Sequence, residues 1–80
     1  MTMLITHVKP AELWGKKVYD SDSHFLGEVV AIGSRRGVVR KVVVQRGPHL
    51  QPMRFTPPAD TRVDACVVLP AGPPRLRLLH

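Results

Sequence analysis

Residues 38–45 read Val-Val-Arg-Lys-Val-Val-Val-Gln, five valines in eight positions. β-Branched side chains are stiff at χ1 and pack well on a pleated surface, so this run predicts a strand. Residues 25–32 (Phe-Leu-Gly-Glu-Val-Val-Ala-Ile) form a second apolar run, and only residues 33–37, with Gly33 and Gly37 at their ends, separate the two. Two such runs joined by a short glycine-containing turn predict an antiparallel hairpin. The rest of the chain must be organised around it, because no apolar period of 3.6 residues continues for three turns anywhere.

Shorter runs flank the hairpin. Residues 17–20 predict a brief strand entering the polar turn Asp20, Ser21, Asp22, Ser23, His24. Residues 53–56 alternate, and residues 62–69 predict one final strand with Val63, Ala65, Val67 and Leu69 on one side. Residues 10–14 predict a single helical turn, with Pro10 at its first position, Glu12 near its positive end and Gly15 as its stop. Residues 3–8 read either as an edge strand or as a loose lead-in. Together these elements predict an all-β fold: a small, strongly bent antiparallel barrel of about five to six strands with one short helical turn near the N-terminus. Gly27, inside a strand, is expected to mark a bulge or a close approach of backbones.

The chain has 80 residues. That is one domain, and a chain this short buries only about 60–65% of its unfolded surface, so it needs a dense core, a partner, or both. Residues 1–70 form the expected domain. Residues 71–80 add a Pro-rich linker and a tail in which Arg75, Leu76, Arg77 and Leu78 alternate. Such a segment suits either an extra strand on a sheet edge, with Leu76 and Leu78 as a candidate oligomer contact, or a disordered terminus.

Lys and Arg number 12 against 6 Asp and Glu, a formal charge of +6. The distribution is more informative than the total, since no acid lies between Glu28 and Asp60. Arg35, Arg36, Arg40, Lys41 and Arg46 fall in that stretch and form a candidate patch for a polyanion or a partner, with Arg40 and alternate residues sharing a face. The bland counterpart is a solvated basic face that keeps a small domain soluble. The lone cysteine, Cys66, sits in an apolar run and is expected to be buried and inert. One thiol, no secretory signal and no apolar stretch near the roughly 20 residues of a membrane span point to a cytoplasmic protein without a transmembrane segment.

Residues 13–20 (Leu-Trp-Gly-Lys-Lys-Val-Tyr-Asp), then Asp22, then residues 25–32, resemble the opening of PRC-barrel domains. The likeness continues through residues 36–44 and covers roughly residues 12–69. In that frame Gly15 and Gly27 are bends, Asp20 and Asp22 set the first turn, and Gly37 belongs to the second. The family places Gly after the turn aspartate, whereas this chain has Ser23 and His24; a longer turn, or one that avoids positive φ, accommodates them. The resemblance implies a small barrel used for protein–protein assembly, in some members near RNA or a membrane, and not for catalysis.

The residues agree with a non-catalytic reading. His7, His24, His49 and His80 lack metal-ligand spacing, no cofactor loop is present, and Asp20 and Asp22 suit a turn better than acid–base work. No catalytic, metal or cofactor residue is expected. The few aromatics, Trp14, Tyr19, Phe25 and Phe55, are expected to fill or cap the core; Phe55 beside Arg54 is the one adjacent aromatic–cation pair. The leading expectation is a protein–protein assembly or adaptor module that self-associates, as a homodimer. The alternative is a small-barrel RNA-binding or ribosome-associated protein that uses the basic hairpin.

Overall fold

A computed structural model describes residues 2–71 and the backbone of residues 77–78. Its strands are β1 (Met3–Leu4), β2 (Lys17–Tyr19), β3 (Phe25–Arg35), β4 (Val38–Gln45), β5 (Met53–Phe55), β6 (Arg62–Val63), β7 (Val67–Val68) and β8 (Arg77–Leu78). They form one sheet in the order β1-β6-β7-β2-β3-β4-β5-β8. The only helical elements among the described residues are two single 3-10 turns, Ile5–His7 and Pro10–Leu13. The second is the turn expected from Pro10; the first replaces part of the expected lead-in. No helix among the described residues is long and apolar enough to cross a membrane.

The valine-rich hairpin is the spine. β3 and β4 pair antiparallel from Glu28↔Gln45 to Arg35↔Val38, and Arg36 and Gly37 close the turn with φ of 54° and 77°. Two consecutive left-handed residues make the tight connection whose twist matches paired strands. The turn is therefore tighter than residues 33–37, and β3 runs through Gly33 and Ser34 to Arg35.

Bulges bend the sheet. Each skips one residue: Leu26 where β2 meets β3, Val30 on β3, and Arg40 on β4. A bulge sharpens local twist, so three of them around one hairpin explain the strong curvature. Gly27 sits at the tightest point. Its φ is +143°, and a Cβ there would stand 2.9 Å from Val44 Cβ and 3.0 Å from Gln45 N, so both its dihedral and its space demand glycine.

Curvature wraps a valine-dominated core. Val18, Val29, Val39, Val42, Val44, Val63 and Val67 cluster with Ile5, Val8, Leu13, Phe55 and Leu69. The 3-10 turns act as plugs, since Pro10–Leu13 delivers a fully buried Leu13 and Ile5–His7 delivers a buried Ile5. Burying one leucine contributes about 2–3 kcal/mol, a sizeable fraction of a small domain's stability.

The all-β, strongly bent sheet with a short helical turn at Pro10 is as expected from the sequence, and it differs from that expectation in detail. Residues 62–69 are not one strand: β6 and β7 fold back on each other, Val63 opposite Val67, across a reversal in which Asp64 N–H donates to Cys66 O at 2.9 Å. Val63 and Val67 have the same parity in the chain, so folding back keeps both facing the core, while Ala65 is left exposed. The sheet is also mixed, because β2 pairs parallel with β7. It curls into a half-barrel, with β1 and β8 at its two ends and no pairing between them among the described residues. In the tail, β8 joins the chain's own sheet, with Met53↔Leu78 and Arg54↔Arg77. Leu76, the other candidate oligomer residue, lies outside the described residues.

Candidate functional site

Register and pleat place two distinct surfaces on the outside of the sheet. Successive side chains in a strand point to opposite faces, so residues in one cross-strand row share a face. The row Met3, Val63, Val67, Val18, Gly27 faces inward, with every member after Met3 buried. The next row, Leu4, Arg62, Val68, Tyr19, Phe25, faces outward across β1, β6, β7, β2 and β3. It is apolar except for Arg62. Leu4, Val68 and Phe25 are 41%, 37% and 38% exposed. The Tyr19 and Phe25 rings pack with centroids 5.7 Å apart, tilted by 55°. A shallow groove beside this row is lined by Leu4, Asp60, Arg62, Val68 and Pro70.

The second surface is the outer face of the β3–β4 hairpin. Val39 and Val42 are both buried, while Arg40 and Lys41 between them are both exposed. Strict alternation forbids this, and the bulge at Arg40 allows it: Gly33 pairs with Lys41 and Ser34 with Val39, leaving Arg40 as the extra residue. The expected pattern, in which Arg40 shares its face only with alternate residues, is therefore corrected. Arg35 follows on the same face, opposite Val38, and the exposed Arg36 forms the tip. Arg54 joins from β5 opposite Val43. Arg46 is exposed but sits past the far end of β4, about 16 Å along the strand from Lys41, so the structure does not bring it into the cluster. None of Arg35, Arg36, Arg40 and Lys41 has a hydrogen-bond or ion-pair partner among the described residues.

The Asp20 turn is a folding device. Asp20 Oδ1 accepts from Asp22 N–H at 2.9 Å and His24 N–H at 2.8 Å, and Oδ2 lies 3.0 Å from His24 Nδ1. Ser23 N–H donates to Asp20 O, and Asp20 N–H to His24 O. Donation by the His24 backbone, helped by its ring and by Asp22 N–H, outweighs burial and holds the Asp20 carboxyl below its ordinary 3.8. Ser23 takes φ +67°. The turn therefore does use positive φ, and serine carries it where glycine was the natural choice. Asp20, Asp22 and His24 bring potential ligand atoms within 4.8 Å of one another, but the Asp20 oxygens are already engaged in the turn.

Other residues fall differently from expectation. Phe55 is buried at 5% exposure, which removes the Phe55–Arg54 stacking pair, while Trp14 stands 55% exposed instead of capping the core. Trp14 precedes Gly15, whose N–H donates to Val29 O, and this tethers it to the flank of β3. Cys66 is free and half-buried, not sealed in. His7, His24 and His49 are exposed; His80 lies outside the described residues. Comparisons with protein-family models, with curated proteins and with solved structures found no match.

Proposed function

We propose that this chain is a non-catalytic assembly module of the PRC-barrel kind, which docks proteins, first of all a second copy of itself, through the outer row of β1, β6, β7, β2 and β3. The observation that carries the reading is the row of Val68, Tyr19 and Phe25 on three neighbouring strands, with Leu4 on β1 beyond Arg62, largely apolar on the solvent side of a sheet. Contiguous exposed apolar surface marks interaction sites. The charges favour a two-fold partner. Arg62 stands in the row and Asp60 lines the adjoining groove, with no ion pair to either among the described residues. A two-fold axis would bring Arg62 of each protomer to Asp60 of the other, a self-complementary pattern. The open β1 edge beside the row offers unpaired backbone groups to the same partner.

The surrounding features agree. Gly15, the Asp20 turn, Gly27 and the valine hairpin, on which the family resemblance rests, are each used as a bend or a spine. The grouped titratable side chains Asp20 and His24 serve their own turn. A single free thiol suits a reducing compartment, and the reading places the protein in the cytoplasm. One residue per strand makes a narrow contact, so the interface belongs below about 1,200 Å², where association is transient.

Sedimentation equilibrium tests the proposal. The wild type should show concentration-dependent dimerisation, and Val68→Asn should sediment as a monomer with an unchanged circular dichroism spectrum. A wild type that stays monomeric at its solubility limit rejects self-association.

A further inference from the structure

The hairpin surface lies on different strands from the assembly row, except where both use β3, and its chemistry differs. We propose that the outer face of the β3–β4 hairpin binds single-stranded nucleic acid, with Arg35, Arg36, Arg40 and Lys41 on the phosphates and Trp14 stacking on a base. This goes beyond the assembly reading and does not depend on it.

Four observations converge. The bulge sets Arg40 and Lys41 side by side on the solvent face, with Arg35 and Arg36 following at the tip. These cations have no partner among the described residues, so phosphates need not displace a carboxylate. No acid lies between Glu28 and Asp60, and Glu28 pairs opposite Gln45 and Lys17, at the other end of the hairpin from the four cations and beside Gly15. Finally, the inner face of the hairpin buries Val29, Val39, Val42 and Val44 in the core cluster, so the outer face is presented on a supported element.

The residue types choose the ligand. Three of the four cations are arginines, whose planar guanidinium forks grip phosphate oxygens in pairs. An anionic membrane would need large apolar side chains at the tip to enter the acyl boundary. The tip has Gly33, Ser34, Arg35, Arg36 and Gly37 instead. Trp14, exposed and held at the Val29 end of β3 by the Gly15 N–H to Val29 O bond, stands at the opposite end of the hairpin from the tip. A nucleic-acid strand lying along the hairpin would meet the cations first and stack a base on Trp14 at its other end, which a duplex denies and a single strand permits.

The test is fluorescence anisotropy of a labelled oligouridylate of about 8 nucleotides, with quenching of Trp14, the only tryptophan, as a second readout. Four phosphate contacts on a single strand predict a log–log salt slope of about −3, so raising salt from about 50 to 200 mM should weaken binding about 50-fold. The double variant Arg40→Ala/Lys41→Ala should halve that slope and weaken binding about tenfold at low salt. Arg36→Gly removes a cation while suiting the positive φ of the tip, so it should bind more weakly and remain folded. Trp14→Ala should weaken binding at least fivefold and abolish the quenching signal. Lys9→Ala, which like Arg36→Gly removes one charge but at an exposed site outside the hairpin, should change binding less than twofold. The proposal is overturned by no binding at low salt, by a Lys9→Ala effect equal to that of Arg36→Gly, or by binding without quenching. Tighter binding to a duplex of the same length, or to phosphatidylserine vesicles, overturns it equally.

Discussion

The two halves of the sheet solve the same problem with different means. β3 and β4 are long, antiparallel and bulged, and a glycine lets one backbone press against the other. β1, β6 and β7 are two-residue strands, and β7 meets β2 in the one parallel pair among the described residues. Backbone pairing dominates the first half, while the second is held by inward valines and by single hydrogen bonds such as Ile5 N–H to Thr61 O at 2.8 Å. The outer faces differ as well, with unpaired cations on the hairpin and an apolar row on the short strands. A chain too short for two domains thus presents two chemically distinct outer surfaces on one curved sheet.

The strongest contrast concerns glycine. Gly27→Ala meets both a positive φ and a Cβ at 2.9 Å from Val44, so it should destabilise by about 3 kcal/mol, enough to unfold much of a small domain. Gly37→Ala has a φ of +77° but nothing within 4 Å, and should cost only about 1 kcal/mol. Urea melts of the two variants check the ranking; equal losses would mean that the hairpin is not pressed together at Gly27.

The short-strand half has its own weak point. Thr61 is fully buried, and its hydroxyl finds no hydrogen-bond partner among the described residues. Thr61→Val keeps the shape and removes the unsatisfied group, so it should stabilise by about 1 kcal/mol in thermal melts. A loss of stability would reveal a partner for the hydroxyl.

The turn joining the two halves gives smaller effects. Ser23→Gly relieves the left-handed backbone but adds freedom to the unfolded chain, for a net gain of about 0.5 kcal/mol. The Asp20 carboxyl, held below its ordinary 3.8, binds its proton less readily in the folded state. Its contribution is therefore complete above that value and disappears as pH falls through the lowered one. Thermal melts between roughly pH 5 and pH 2 should show a loss that Asp20→Ala lacks. Identical pH profiles would remove the turn from the acid response.

What the sequence made legible follows from how local each signal is. The hairpin, the Pro10 turn and the Asp20 turn each depend on residues within a few positions of one another. The reversal at Asp64, Ala65 and Cys66 was hidden because Val63, Val67 and Leu69 fit a continuous strand and a folded one equally well. The apolar row was invisible, since Leu4, Val68 and Phe25 meet only through pairings between distant strands. The basic patch was half legible: its residues were plain, but strict alternation could not show that a bulge turns Arg40 and Lys41 to one side. Trp14 misled, because scarcity of aromatics suggested that all would be buried.

The independence of the two outer faces is best tested with Val68→Asn in the oligouridylate titration, using a strand too short to bridge two protomers. The variant should lose dimerisation yet bind the oligonucleotide within twofold of wild type, with the same salt slope. If losing the dimer also abolishes binding, the two surfaces are one site shared between subunits, and the division of the sheet described here is wrong.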